Sequence, residues 1–159
     1  MGSDREKAET IASRVRAVSS ENDLVNWAST RTHTVAFRRL LALVFGPNIE
    51  RISLSGPKVE LSPSTTRTLS LVFHELMTNA MKYGALSNPS GTIVIGWLAD
   101  GDRVRVNWVE IGGPSVSEPS ERRFGTKVIM HSLATLAGAS EFAFNSSGLQ
   151  CVIEFDPDA

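Results

Sequence analysis

Hydrophobic positions change their period several times along these 159 residues, and the changes mark out the elements. From about Asp4 to Trp27 the chain is polar and charged, with Ile11, Val15, Val18 and Leu24 as a thin apolar stripe. So narrow a stripe predicts a helix that packs against a partner helix rather than into a globular core. Ala28 to Thr34, rich in Ser and Thr and without period, reads as a loop. Val35 to Phe45 carries Phe37, Leu40, Leu41 and Val44 at helical spacing and predicts a short helix stopped by Gly46-Pro47. Ile49 to Leu54 alternates, which predicts a strand, and Gly56-Pro57 predicts a turn. Ser62 as N-cap with Pro63 at the first position starts a long helix that runs to Tyr83.

Asn88-Pro89-Ser90-Gly91 predicts the next turn. Thr92 to Leu98 and Arg103 to Glu110 read as strands of a hairpin joined through Asp100-Gly101. Ile111 to Ser120, with its glycines, prolines and serines, reads as a loop. Arg123 to Ala137 predicts a helix closed by Gly138, with Val128, Ile129, Leu133 and Leu136 inward. Glu141 to Phe144 and Leu149 to Phe155 predict a last hairpin around Ser146-Ser147-Gly148. Hairpin strands with long helices interspersed, outside a regular βαβ alternation, predict an α+β fold. It would be a two-layer sandwich in which helices cover one face of a mixed sheet.

Composition adds little to this picture beyond exclusions. Apolar content of 42% and charged content of 21% are ordinary for one globular domain with a full core. A net charge of −1 gives no general attraction to nucleic acid. No apolar run approaches the roughly 20 residues that cross a bilayer, so a cytoplasmic location is expected. Cys151 is the one cysteine; it sits in an apolar run and reads as a small core residue. The three histidines, His33, His74 and His131, have no partner at metal-ligand spacing, which argues against a zinc site. Neither a G-x-x-x-x-G-K-[ST] loop nor a G-x-S-x-G elbow occurs.

Three segments carry candidate chemistry. On the long helix, Glu75, Asn79 and Lys82 fall within one narrow arc, opposite Leu69, Phe73, Leu76, Met77 and Ala80. A carboxylate, an amide and an ammonium then project together, with Tyr83 at the edge as the helix ends on Gly84. That set could polarise a nucleophile, hold a hard cation and meet a phosphate. A solvated helix face is the plainer reading of the same stripe. In the second segment, Trp108 and Glu110 share one strand face and Gly112-Gly113-Pro114 follow. A strand-end carboxylate beside glycines can accept from an exocyclic amine while the backbone lies close to a flat ring; an ordinary turn would look similar. In the third, Gly125 and Thr126 open a helix, where free N–H groups favour an anion and Lys127 would strengthen the site.

The order of the three segments resembles the N, G1 and G2 boxes of the histidine-kinase ATP-binding domain, a member of the gyrase, Hsp90, histidine kinase and MutL superfamily. The run from His74 to Ser87 together with the Trp108-x-Glu110 pair resembles more closely the HWE subfamily of bacterial sensor histidine kinases. The likeness covers about Val35 to Phe155. It implies a Bergerat-type ATP-binding fold over residues 34–159, preceded in residues 1–30 by part of a dimerisation and phosphotransfer hairpin. It also implies roles. Glu75, beside His74, would act as base or polarise the attacking group. Asn79 would give its amide oxygen to Mg²⁺, Lys82 would meet the phosphates, and Tyr83 would pack near the nucleoside. Glu110 would recognise the adenine amine and Gly112 would let the base approach. Gly113 to Phe124 would form a short lid, and Gly125 and Thr126 would bind phosphate.

Two departures qualify the resemblance. Arg123 stands where the subfamily usually has the first glycine of Gly-Phe-Gly-Thr, and the subfamily's His-Arg-x-x-Asn-like phosphoacceptor segment does not occur. The expected function is therefore an ATP- and Mg-dependent histidine kinase domain that serves an acceptor histidine outside these residues and does not phosphorylate itself. Expected partners are the parent kinase's dimerisation helices, a response regulator through them, and a second copy of the chain. The alternative is a stand-alone ATP-binding signalling module of the same fold, either an anti-sigma-like serine kinase or a phosphorelay scaffold. A gyrase- or MutL-like ATPase would need a longer, glycine-rich lid.

Overall fold

The computed structural model describes residues 34–114, 123–145 and 147–159. The predicted helix from Asp4 to Trp27 and most of the predicted lid lie outside these residues. The elements run β1 (Val35–Ala36), α1 (Phe37–Phe45), a 3-10 helix (Gly46–Arg51), β2 (Ile52–Ser55), β3 (Glu60–Leu61) and α2 (Pro63–Tyr83). A 3-10 turn (Ala85–Ser87) then leads to β4 (Thr92–Asp100), β5 (Arg103–Ile111), α3 (Arg123–Ala134), β6 (Ala139–Asn145) and β7 (Gly148–Phe155). Five strands form one sheet in the order β2-β4-β5-β7-β6; β2 runs parallel to β4 and the other pairs are antiparallel.

One sheet face is buried and the other is open, as the alternation predicts. Ile93, Ile95 and Trp97 of β4 and Val106, Trp108 and Glu110 of β5 point inward, whereas Leu98, Arg105 and Asn107 face out. The buried face packs under the three helices in a single core that includes Phe37 and Phe45 of α1, Phe73 of α2 and Leu133 of α3. Phe37 meets Phe73, Trp97 and Phe155 at ring-centroid distances of 5.6, 5.0 and 5.7 Å. Such aromatic contacts add specific geometry to the area they bury.

The long helix keeps its predicted bounds. Ser62 Oγ accepts from Thr65 N–H at 3.1 Å and Pro63 occupies the first turn, so the orphan donors at that end are partly satisfied. Gly84 ends the helix, its N–H bonded to Ala80 O at 3.1 Å. Elsewhere local pairing overrides pattern. Val35 and Ala36 leave the predicted first helix to pair antiparallel with Leu61 and Glu60 as a small ribbon. The predicted strand over Ile49 to Leu54 starts later: Pro47 holds residues 46–51 in a 3-10 helix, and pairing with β4 begins at Ile52. The β4–β5 turn centres on Gly101-Asp102 rather than Asp100-Gly101, with Gly101 at φ +59°. The last helix ends at Ala134, and Ala137 (φ 51°), not Gly138, takes the left-handed position. Gly138 is needed for space instead, since a Cβ there would strike the Glu154 carbonyl on β7.

Candidate functional site

The two faces of α2 divide as its spacing requires. Leu69, Phe73, Leu76, Met77 and Ala80 are buried. On the other side Glu75 and Asn79 are half-buried, and Lys82 and Tyr83 are exposed. His74, one residue round the helix from Glu75, is half-buried, and its carbonyl accepts from Thr78 Oγ1 at 2.9 Å. Among the described residues no hydrogen bond or ion pair engages the side chains of Glu75, Asn79 or Lys82. All three side chains reach solvent. A carboxylate, an amide and an ammonium left open on one arc are therefore available to a ligand.

The strand-end pair is arranged in the opposite way. Trp108 is fully buried, with Phe45 and Phe73 at centroid distances of 5.8 and 6.3 Å. Its indole Nε1–H donates to Glu110 Oε2 at 3.0 Å. The two-residue spacing is what permits this bond, because it puts both side chains on one strand face. The other carboxylate oxygen, Oε1, accepts from the Ala85 backbone N–H at 2.9 Å. Glu110 is 3% exposed, so a buried carboxylate is held by two donors and joins β5 to the 3-10 turn that follows α2. The same carboxylate lies near Cys151, which faces Trp108 across β5 and β7. Burial first, and then the charge of Glu110, push the Cys151 thiol up from its ordinary 9.0 to about 12.

The glycines around this pair allow the close approach. A Cβ at Gly84 would land on the Glu110 carboxylate, and one at Gly113 would sit 2.7 Å from Ala85 Cα. Gly112 takes φ +78°, a conformation that side chains rarely adopt, and its carbonyl accepts from Asn88 Nδ2 at 3.0 Å. The sequence pattern singles out Gly112 and puts Gly113 at the start of the lid, but it gives Ala85 and Asn88 no part in the site. Ala85 contributes only its backbone N–H, which leaves no mark in a sequence. Gly125 and Thr126 lie in the first turn of α3, which packs against α2. Thr126 is half-buried.

Among the described residues no group of three or more His, Cys, Asp and Glu could hold a metal ion. The open amide of Asn79 is an oxygen donor with Glu75 one turn away. Such a set suits a hard cation that takes few protein ligands and completes its shell with water and phosphate oxygens. No helix among the described residues is long and apolar enough to cross a membrane.

No family model matches the chain. Over 155 residues it is 39% identical to blue-light-activated histidine kinase 1 of Erythrobacter litoralis, a stretch that covers 93% of this chain and 43% of that protein. The chain is a relative of the histidine kinases. Its fold matches the histidine kinase domain of the Erythrobacter litoralis EL346 blue-light-activated kinase with a TM-score of 0.70 at 18% identity, covering 91% of this chain and 73% of that one. It also matches full-length ShkA, solved in complex with AMPPNP, with a TM-score of 0.55 at 19% identity, covering 79% of this chain and 31% of that one. The predicted mixed α+β fold is therefore that of a histidine-kinase catalytic domain. The chain spans less than half the length of the curated relatives it matches.

Proposed function

We propose that this chain is the ATP- and Mg-binding catalytic domain of a two-component sensor histidine kinase of the HWE type. It transfers the γ-phosphoryl group to a histidine outside these residues. The observation that carries the reading is the open arc of Glu75, Asn79 and Lys82 on α2, which leads directly into the closed Trp108–Glu110–Ala85 junction. The kinship with histidine kinases and the AMPPNP held by ShkA support it.

Each residue then has a task that its position permits. Tyr83, exposed where α2 ends, packs near the nucleoside. Glu110 orders the base end; a carboxylate offers about four lone-pair positions, so two remain for the adenine amine. Gly112 and Gly113 keep that wall flat and close. At the other end, Asn79 supplies an amide oxygen to Mg²⁺ and Lys82 meets the phosphates. A cation held there by Asn79 would supply charge neutralisation at the phosphates. Gly125 and Thr126 offer the start of α3 to a phosphate oxygen. Glu75, with His74 beside it, accepts hydrogen bonds from the incoming imidazole and keeps it oriented. Phosphoryl transfer needs little covalent chemistry from the protein, so positioning and charge compensation are the contribution expected of such a site.

Incubation with Mg²⁺ and ATP followed by intact-mass measurement tests the catalytic half of this reading. The chain is expected to bind ATP and gain no phosphate, whereas a mass increase of one phosphate contradicts an external acceptor.

A further inference from the structure

The half-buried Arg51 lies at the end of the 3-10 helix that precedes β2. Parallel pairing of Ile52 with Ile93 brings it beside the segment that follows α2. Its Nε donates to Gly91 O at 3.0 Å and its Nη1 to Leu86 O at 3.4 Å. Its Nη2 donates to Gly91 O at 2.8 Å, to Ala85 O at 3.3 Å, and also to Asn88 O. One guanidinium thus gathers four carbonyls of a single seven-residue loop, and no ion pair among the described residues competes for it. A planar fork of fixed donors can do this, whereas an ammonium cannot span the same set.

That loop is the one that meets the candidate site. Ala85 presents its N–H to Glu110, and Asn88 presents its amide to the Gly112 carbonyl. Gly91 approaches so closely that a Cβ there would strike the Ala85 carbonyl. Ala85 is gripped on both sides, with its carbonyl on Arg51 and its N–H on Glu110. We infer that Arg51 is a positioning residue for the base end of the nucleotide site, fixing the Ala85–Gly91 loop so that Ala85 orients the Glu110 carboxylate and Asn88 holds Gly112. This rests on the nucleotide reading above. It adds that base recognition is set by an arginine more than thirty residues before the loop it holds, through contacts that involve no ligand atom.

The test compares the wild-type chain with Arg51→Lys and Arg51→Gln. Calorimetric titrations use Mg·ATP and Mg·ITP (which lacks the exocyclic amine), and amide hydrogen exchange is read at Ala85. Both variants are expected to lose at least about tenfold in ATP affinity, the equivalent of one charge-assisted hydrogen bond. The ATP-over-ITP preference is expected to shrink and exchange at Ala85 to quicken, while core amides of β5 and β7 stay protected. A merely structural role would lower the melting temperature and leave the ATP-to-ITP ratio of the folded protein unchanged; that outcome overturns the inference. Wild-type protein that binds neither nucleotide overturns the nucleotide reading as well. Wild-type binding with equal ATP affinity in Arg51→Lys overturns the role of Arg51 alone.

Discussion

The two ends of the candidate site are built on opposite plans. At the end of β5 the Glu110 carboxylate and the Gly112 carbonyl already have protein partners: Glu110 accepts from Trp108 and Ala85, and Gly112 accepts from Asn88. Along α2, Glu75, Asn79 and Lys82 have none among the described residues. One end is held by its own chain and the other is open to solvent. On the proposed nucleotide reading, the difference matches what each end would recognise. A flat, weakly charged base demands a preformed wall, because a buried carboxylate without donors would be costly. A triphosphate with its cation brings its own strong charges, so the protein can leave matching groups solvated until binding.

Substitutions at the two ends should therefore fail in different ways. Glu110→Ala removes the acceptor from two buried donors and opens a gap beside Trp108. It should lower stability by on the order of 3 kcal/mol, read by urea denaturation. Little loss would mean that the closed end is not held by this carboxylate. Lys82→Ala, at an exposed position, should leave stability within about 0.5 kcal/mol. It should weaken ATP severalfold and flatten the salt dependence of binding, because an exposed charge acts through screened attraction. Equal salt dependence in both proteins would remove Lys82 from the phosphate end.

The last effect is confined to alkaline pH and concerns Cys151. Its folded-state thiol is raised, so the unfolded chain gives up the proton first as pH rises. The stability contributed by the neutral buried thiol is complete below pH 9.0 and is lost between there and about 12. The slope is about 1.4 kcal/mol per pH unit, read as an alkaline decline that Cys151→Ala lacks. At pH 8 the native thiol should resist a thiol reagent that labels the unfolded chain at once.

Much of this was legible in the sequence, for identifiable reasons. Helical period, a Ser-Pro start and a Gly stop are local signals, and they place α2 and its polar arc correctly. Alternation likewise puts Trp108 and Glu110 on one strand face. Pairing between distant residues was not legible. The ribbon of Val35 and Ala36 with Leu61 and Glu60 overrides the start of a helical pattern, and the 3-10 helix ending at Arg51 takes the first residues of a predicted strand. The same limit hid the closed end of the site. Ala85 acts through its backbone N–H, and Arg51 reaches its loop from 34 residues away at the nearest carbonyl. Neither is a feature of any short window.

Calorimetric titration of wild-type and Asn79→Ala protein with ATP, in the presence and absence of Mg²⁺, tests the open end most directly. Wild-type protein should bind ATP in a Mg²⁺-dependent manner. Asn79→Ala should lose at least about tenfold of that affinity and most of the Mg²⁺ dependence, with its melting temperature unchanged, since a half-buried amide with no protein partner contributes little to folding. Equal affinity in the two proteins would contradict the account and return the arc on α2 to an ordinary solvated helix face.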